Sequence, residues 1–411
     1  MRSGVAALIY LACLAIPLLR VADGVGLYMA LAAVRPQEIT YGIDLAGGRF
    51  SIVCVAFIFL GWFIRIPKLR PRWSSIHTPL LLFFLSLVVS RIFAIHAYAS
   101  QYVFDMMYVP VVVSFLATQV IRTEKDVYHA MWWLAGGLGF LSYWAVWGAH
   151  LSSYYEMYAD GEIVGPGGSI VDRNDLALAL NVALPLLFYL FLAAKPKWAK
   201  VIAFVTLVPA AGIVLETGSR GGFLGLAAVG TYILYKMHHK RWLFGLAIVA
   251  MIGGLAITPR EYIDRIVGIR SAAQEDSSAS ERIEAWHDAV LMAQERPLTG
   301  VGIGCFTVWR REHERPALVA HNGFFQMLGT AGFPGAVLWV WLIIRMWQVT
   351  GRNERQLRRA RMKGSRLHYM VLALRTSLIG YVTCTMFLSQ EDFEFFYFEL
   401  GMTAALDAVV T

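Results

Sequence analysis

Four short polar clusters interrupt a strongly apolar chain, and their residue types are those that bind phosphate or move a proton. The clusters are Asp172-Arg173-Asn174-Asp175, Thr217-Gly218-Ser219-Arg220-Gly221-Gly222, Arg282 and His321-Asn322. A guanidinium is permanently charged and holds phosphate oxygens bidentately, so several converging arginines make a cradle for a diphosphate. A neutral histidine titrates near working pH and can take a proton from a hydroxyl. The clusters therefore indicate anion binding combined with proton transfer.

Each of these residues also has a purely structural interpretation. An arginine at a membrane interface can anchor a helix end or pair with a carboxylate such as Glu216 or Asp175. The glycines around Arg220 can serve a tight turn instead of an anion, and a histidine at a helix start can be a cap. Trp286 is expected in the core. The acidic group near the C-terminus can bind a cation, but an outward acidic surface is favoured; it comprises Glu391, Asp392 and Glu394.

The elements that must position these residues are membrane helices. Of 411 residues, 58% are hydrophobic and 16% charged, against about 45–50% and 25% in soluble domains. The composition predicts an all-α polytopic membrane protein with about 12 transmembrane helices, because spans need about 17–25 apolar residues. The first run contains Pro17, Arg20 and Asp23, so it is one broken helix or two short ones. The predicted spans are Gly4 to Val34, Phe50 to Ile64, Pro79 to Ile92, Tyr102 to Val120, Ala130 to Trp147, Leu176 to Ala194, Val201 to Leu215, Gly222 to Tyr235, Trp242 to Ile257, Gly323 to Trp347, Met370 to Leu388 and Phe395 to Val410.

The basic residues predict the orientation of these spans. Lysine and arginine concentrate in alternate connectors, most densely in residues 348–368, and the positive-inside rule places those connectors in the cytoplasm. The acidic residues and the four polar clusters then fall on the outer side. The net charge of +8 is explained by this asymmetry, so we expect membrane lipids as neighbours and no nucleic acid as a partner. The four scattered cysteines give neither a disulfide framework nor a metal-ligand spacing.

The chain divides into five predicted segments. Residues 1–147 carry the N-terminal helices, 148–175 a first outer loop, 176–257 the central helices, 258–320 a large outer loop and 321–411 the C-terminal helices with the basic connector 348–368. Within the large loop, an amphipathic helix is predicted to begin near Ser280. Ser278 and Glu281 form a possible capping box, and Pro297 follows the helix.

The order of the motifs resembles the O-antigen ligase family. The resemblance covers roughly residues 148–388, and the large outer loop before the histidine adds to it. Residues 35–42 are similar to the opening region of a subgroup associated with exosortase systems. The motifs are Arg173-Asn174, Ser219-Arg220-Gly221, Arg282 with Trp286, Pro297-Leu-Thr-Gly300-Val-Gly302 and His321-Asn322-Gly-Phe-Phe followed by Gly329 and Gly332.

The resemblance implies a glycosyltransferase with a GT-C-like membrane fold. Its donor would be an undecaprenyl-diphosphate-linked glycan and its acceptor the lipid A core oligosaccharide, at the periplasmic face of a Gram-negative inner membrane. His321 would correspond to the catalytic histidine, Arg220 and Arg282 to essential arginines and Arg173 to a further diphosphate-binding cation. Supporting roles fall to Asn174, Ser219 and Asn322. The assignment of Arg265 or Arg270 to the site stays open.

Other functions of the same superfamily remain open at this point. A polymerase would use the same donor as acceptor, a protein O-oligosaccharyltransferase would modify serine or threonine, and a lipid-linked glycan transporter would carry ionisable groups in mid-membrane. Displacement at the anomeric carbon with inversion is expected. Residues 35–49 offer Glu38 and Asp44 but no Asp-x-Asp pair. Arginines can supply the charge of a metal, so we expect no metal and no cofactor.

Overall fold

The computed structural model describes residues 10–36, 50–65, 71–151, 158–159, 162–163, 165–237 and 272–411. The predicted span Trp242 to Ile257 lies outside these residues, as do Glu38, Asp44, Arg265 and Arg270. Everything below refers to the described part of the chain.

The described residues are helical apart from one pair of two-residue strands. The N-terminal helices are α1 (Ala15–Leu19), α2 (Val21–Val34), α3 (Phe50–Phe63), α4 (His77–Ile92), α5 (Ala97–Val120) and α6 (Glu124–Leu151). The strands β1 (Tyr158–Ala159) and β2 (Glu162–Ile163) pair antiparallel. The central helices are α7 (Arg173–Ala193), α8 (Lys197–Glu216) and α9 (Arg220–Lys236). The C-terminal helices are α10 (Ala272–Glu295), α11 (Phe306–Glu312), α12 (Gly323–Arg359), α13 (Arg366–Thr385) and α14 (Glu394–Val410).

Four of these helices are long and apolar enough to cross a membrane: α5, α7, α8 and α12. Shorter apolar helices accompany them, at Tyr10–Leu19, Val21–Val34, Ile52–Phe63 and His77–Ile92. Large apolar side chains of α8 are exposed, among them Val201, Val205 and Val208. An exposed apolar face of this kind suits contact with lipid. The described part of the chain is thus largely helical and contains four candidate membrane spans.

The first apolar run forms two helices, because the chain reverses direction at Arg20. The backbone of Arg20 is extended (φ −141°, ψ 90°) between α1 and α2. A Cβ atom on Gly24 would lie 2.7 Å from Pro17 Cα, so α1 packs back along α2. Arg65 stabilises the break, since its Nη2 donates a 2.7 Å hydrogen bond to the carbonyl oxygen of Leu18 at the end of α1. Two short helices were one of the two predicted alternatives.

The core of the bundle is built by α7, α13 and α14. Helix α7 is buried along almost its whole length and packs between α8 and α13. Helix α14 was the weakest predicted span, yet it contributes a fully buried aromatic run and packs against α5. Its aromatic residues are Phe395, Phe396, Tyr397 and Phe398.

Helix α10 begins earlier than the sequence predicted. It starts at Ala272 rather than near Ser280. Ser278 therefore lies inside the helix, and its prediction as the residue of a capping box with Glu281 is wrong. Ala272, Ala273, Gln274 and Glu275 have high helix propensity, so the helix already forms before the serines. The predicted end is correct within two residues, since α10 ends at Glu295 before Pro297.

The glycines of the motif at residues 297–302 dock the outer loop onto a kink in α12. Gly332 has non-helical angles (φ 67°, ψ −172°), so α12 is two helical stretches joined at this residue. The break leaves carbonyl oxygens of α12 without helical partners. The N–H of Val301 donates to Gly329 O and that of Gly302 to Thr330 O, each at 3.0 Å. The motif therefore fixes the outer loop to the membrane bundle.

The opposite end of the bundle, where α9 and α12 end, is held by buried ion pairs. Glu354 is 5% exposed. Lys236 Nζ lies 2.8 Å from each of its carboxylate oxygens, and Arg375 Nη1 lies 3.3 Å from one of them. The guanidinium of Arg375 also stacks on Trp347 at 3.8 Å from the ring centroid. These contacts tie α9, α12 and α13 together, and we call this end the basic end.

Candidate functional site

Three helices begin together at the other end of the bundle, here called the site end. They are α7, α9 and α12, whose first residues are Arg173, Arg220 and Gly323. A helix N-terminus presents unpaired N–H groups and the positive end of the helix dipole. Three such ends, two of them starting with arginine, produce a surface suited to an anion such as a diphosphate.

The start of α7 is fixed by reciprocal caps. Asp172 Oδ1 accepts hydrogen bonds from the N–H groups of Asn174 and Asp175, at 2.7 and 2.9 Å. Asp175 Oδ2 accepts in return from Val171 and Asp172, at 3.1 and 3.2 Å. This capping box uses the carboxylate of Asp175 to hold the turn that presents Arg173. Asn174 lies in the first turn and contributes its backbone N–H to the cap.

The start of α9 combines a side-chain cap with very close helix packing. Ser219 is buried, and its Oγ accepts from the N–H of Gly222 at 3.1 Å. A Cβ atom on Gly222 would lie 2.5 Å from Ala177 Cβ on α7. Asn181 of α7 also donates to Gly222 O at 2.9 Å. The small residues therefore let α9 begin directly beside α7. Gly218, with φ 63°, makes the turn before α9, as the tight-turn interpretation predicted, whereas Gly222 serves helix packing.

His321 has a left-handed backbone conformation, and hydrogen bonds hold the residues on both sides of it. Its φ is 49°, uncommon for a residue other than glycine. On one side, Asn322 Oδ1 caps α12 by accepting from Phe324 at 2.9 Å, while its Nδ2 donates to Met386 O at 3.0 Å. On the other side, Ala320 is fully buried, and Trp286 Nε1 donates to its carbonyl oxygen at 2.9 Å.

Helix α10 brings Arg282 to the same place. Arg282 lies one helical turn before Trp286, whose ring stacks on Phe325 of α12 with centroids 5.1 Å apart and planes inclined by 6°. Trp286 packs beside a small apolar cluster, as the core interpretation predicted. We call this cluster the outer module; it comprises Ala285, Ala289, Met292, Val301, Cys305, Phe306, Trp309 and Ala320. The indole N–H of Trp286 also contacts the residue before His321, which the sequence did not indicate. The stacked pair therefore sets the distance of α10 from the His321 loop.

The electrostatics of His321 report which groups surround it. Burial, followed by the positive charge of Arg282, lowers the pKa of His321 below its ordinary value of 6.5. The carboxylates of Asp172 and Glu281 act in the opposite direction. Because the charged groups come from α10 and from the cap of α7, these elements converge on the histidine. At neutral pH the imidazole is uncharged and its free ring nitrogen can accept a proton.

The connector between α13 and α14, residues 386–393, contacts the starts of α7, α9 and α12, and the sequence did not indicate these contacts. Phe387 lies against Gly221, whose Cβ would be 3.0 Å from Phe387 Cβ. Gln390 Nε2 donates to Asp175 Oδ1 at 2.6 Å. Met386 accepts from the Asn322 side chain, as described above. A short polar connector carries no local signal of such contacts, since they depend on how α7, α9 and α12 pack.

The acidic residues at the end of this connector and at the start of α14 do not form an outward surface. Glu391 and Glu394 are each 9% exposed, so the prediction of an outward acidic face is wrong for them. Burial, followed by the negative charge of Asp392, raises the pKa of Glu391 well above its usual range. Glu394 accepts a 3.1 Å hydrogen bond from Ser169 Oγ and faces Arg35 at 4.0 Å. Among the residues that the structure describes, no three His, Cys, Asp or Glu side chains are placed to hold a metal ion.

An apolar groove begins beside the site end and follows α12. Its volume is about 460 Å³ and it extends from Phe324, two residues after Asn322, to Ile344. The kink at Gly332 brings the rings of Phe324 and Trp339 together, with centroids 5.0 Å apart. The groove has aromatic and aliphatic walls and so suits a hydrocarbon chain. Its lining residues are Phe324, Leu328, Ala336, Val337, Trp339, Val340, Trp341 and Ile344.

Comparison with known families agrees with the order of the motifs. Residues 3–143 match a family of unknown function (DUF5935). Residues 205–340 match the family described as O-antigen ligase, a segment that includes Arg220, Arg282 and His321 and leaves Arg173 outside. No curated protein matches the chain at a significant level. The match suggests a transferase of the O-antigen ligase or polymerase type. The resemblance seen in the motifs is thereby confirmed, and residues 205–340 are similar to the O-antigen ligase family.

Proposed function

We propose that the protein is an O-antigen ligase, which transfers a glycan from undecaprenyl diphosphate to the lipid A core oligosaccharide. The observation that carries the proposal is the convergence of a neutral histidine, Arg282 and the capped start of α7 at one end of the bundle, in a chain of this family. In this proposal the site end faces the periplasm of a Gram-negative inner membrane, and a GT-C-like bundle of about 12 spans surrounds it.

The residues have separate roles in the proposed reaction. A ring nitrogen of His321 accepts the proton of the acceptor hydroxyl as its oxygen attacks the anomeric carbon. The bond between that carbon and the phosphate oxygen breaks, and polyprenyl diphosphate leaves with the electron pair. Arg173, Arg220 and Arg282 stabilise the negative charge on the diphosphate. Attack opposite the leaving group inverts the anomeric configuration. Asn174, Ser219 and Asn322 support these groups, the last two as helix caps.

The surroundings of the site suit the two substrates of such a reaction. The apolar groove along α12 offers a place for the polyprenyl chain next to the histidine, with the diphosphate at the helix starts. The dense arginines after Gly351 lie at the basic end, and the positive-inside rule assigns this end to the cytoplasm. A hydrophilic acceptor would then approach from the periplasm while the donor stays in the membrane.

Glycan transfer by the purified full-length protein tests the proposal. Polyprenyl-diphosphate glycan and lipid A core are supplied, and His321→Ala is compared with His287→Ala. His287 is an exposed histidine on α10, so it controls for the loss of an imidazole. We expect transfer by wild type and by His287→Ala, and loss of transfer in His321→Ala by about two or more orders of magnitude. A fully active His321→Ala variant would show that His321 is not the base. Transfer with retention of the anomeric configuration would exclude direct displacement.

The acceptor decides between the ligase and its relatives. Extension of the donor glycan on its own lipid, with lipid A core untouched, would identify a polymerase. Transfer to serine or threonine of a protein would identify an O-oligosaccharyltransferase, and lipid movement without bond formation would identify a transporter. We also expect that the reaction needs no metal, so chelation should leave transfer unchanged. Activity that is lost with chelator and restored by magnesium would contradict this expectation.

A further inference from the structure

Gln326, in the second turn of α12, holds the residue that precedes His321. It is 6% exposed, and its Oε1 accepts a 2.9 Å hydrogen bond from the backbone N–H of Ala320. A backbone N–H can only donate, so the side-chain atom that faces it must be the amide oxygen. The same oxygen accepts from Ser389 Oγ at 3.1 Å. Both hydrogen bonds use the amide oxygen of Gln326 as acceptor, so a substitution that keeps this oxygen can be compared with one that removes it.

The second bond connects the histidine loop to the arginine cluster. Ser389 precedes Gln390, whose side chain donates to Asp175 at 2.6 Å. Asp175 in turn accepts from the backbone of residues 171 and 172, directly before Arg173. A continuous series of hydrogen bonds and short peptide segments therefore runs from the residue before His321 to the turn that presents Arg173.

We propose that Gln326 is a positioning residue for the transfer reaction. It fixes the His321 loop to α12 and, through Ser389 and Gln390, keeps the base at a constant spacing from the diphosphate-binding start of α7. The inference rests on the proposed function, because it assumes that His321 acts as the base. Catalysis depends on such spacing, since displacement of a reacting group by about 1 Å lowers the rate by orders of magnitude.

Two substitutions at Gln326 separate positioning from general support of the fold. Gln326→Glu keeps an acceptor oxygen for both bonds and adds a negative charge. Gln326→Met keeps the length and removes the acceptor, which leaves the N–H of Ala320 unpaired. The matched control is Gln348→Met, the same change on the same helix, where the lost bond is the 3.0 Å contact with Arg345 Nη1. Ser389→Ala removes only the bond that leads to α7.

The experiment measures kcat and KM for the donor, together with the titration of His321 by NMR of 13C-labelled histidine. The His321 signal is assigned by its absence in His321→Ala. We expect kcat of Gln326→Met to fall about ten- to a hundredfold with little change in KM. Its His321 pKa should rise toward the ordinary value, because a loosened loop admits water. Gln326→Glu should stay within about threefold of wild type while the acidic limb of its pH profile moves to higher pH. Gln348→Met should behave as wild type.

Distinct results would overturn the inference. A folded Gln326→Met with wild-type kcat and wild-type His321 titration would show that the glutamine does not position the base. Equal inactivity of Gln326→Glu and Gln326→Met would refute the acceptor argument. Additive effects of Gln326→Met and Ser389→Ala on kcat would refute the link to α7. If wild type transfers no glycan, the proposed function fails, and the NMR titration alone still decides whether Gln326 fixes the histidine.

Discussion

The indole N–H of Trp286 offers a direct test of how the outer module controls the site. Trp286→Phe removes one hydrogen bond, the 2.9 Å contact from Nε1 to the buried carbonyl oxygen of Ala320. The stack on Phe325, with centroids 5.1 Å apart, remains possible for a phenyl ring. A buried carbonyl left without a partner costs about 1–3 kcal/mol. A cost of 1–2 kcal/mol within that range changes the ratio of ordered to open loop by about 5- to 30-fold.

If the site needs this loop conformation, transfer should slow by up to this factor, and by less the more of the loop stays ordered. The assay compares kcat and the His321 titration in wild type, Trp286→Phe and Trp286→Ala. We expect Trp286→Ala to be worse, because it also loses the stacking of two aromatic rings, about 0.5–1.5 kcal/mol beyond the lost apolar burial. The His321 pKa should rise in both variants as the loop gains access to water.

Trp309 supplies the matched control. Its Nε1 also donates a 2.9 Å hydrogen bond, to Glu295 Oε2, and connects α11 with the end of α10. Trp309→Phe should lower the thermal stability without changing the His321 titration or the rate measured well below the unfolding temperature. Equal slowing in both phenylalanine variants, or an unchanged rate in Trp286→Phe, would refute the argument that the indole acts through Ala320.

Three further predictions concern the rest of the molecule. Glu354→Ala should lower the free energy of unfolding by about 3–5 kcal/mol, because it leaves buried cations without their carboxylate. Denaturation in detergent measures this loss, with Arg359→Ala at an exposed position as the control. Equal losses of stability in the two variants would contradict the prediction. Gly332→Ala should destabilise the folded protein by more than about 1–2 kcal/mol, because residue 332 has a φ of 67° that alanine adopts only with strain. Gly212→Ala is the control, since a Cβ atom there meets no neighbour, and it should leave the thermal unfolding temperature unchanged or raise it. The pKa of His321 in the folded protein is lowered. We therefore expect kcat/KM to stay constant as the pH falls to about 6.5 and to decline only below that value. A decline that begins well above pH 6.5 would show that the titrating base is not His321.

Apolar runs predicted where most of the described membrane helices lie, but they did not predict every helix end or which helices pack together. Helix α7 was predicted from Leu176 to Ala194 and is observed at Arg173–Ala193, because a long apolar run with a polar cap marks its own limits. Helix α12 was predicted to end at Trp347 and continues to Arg359. Its extra turns are stabilised by the ion pairs of Glu354 with α9 and α13. The pair with Lys236 joins residues 118 positions apart and the pair with Arg375 joins two different helices, so no local pattern contains them.

The same distinction explains the acidic residues near the C-terminus. Three carboxylates within four residues indicate a hydrated surface when only composition is known. Two of them are buried, and Glu394 is reached by Ser169 and by Arg35 from the end of α2. Burial of a charged group depends on partners contributed by distant segments. The candidate arginines and His321 were identifiable because their residue types are rare at the outer ends of apolar runs, whereas Gln326 and Gln390 are ordinary polar residues whose importance lies only in their contacts.

The kink at Gly332 shows how a sequence motif becomes a geometric constraint on the site. In a straight α12 the carbonyl oxygen of Gly329 would accept from the N–H of Phe333, whereas that of Thr330 has no helical donor because residue 334 is proline. The kink directs the N–H of Phe333 to Pro297 O, and both oxygens accept from the N–H groups of Val301 and Gly302. The loop follows directly from α10, so pairing with α12 fixes α10 along the helix axis. Arg282 lies on α10, and His321 immediately precedes α12. The glycines of the motif therefore set the separation between Arg282 and His321 without lying beside either residue.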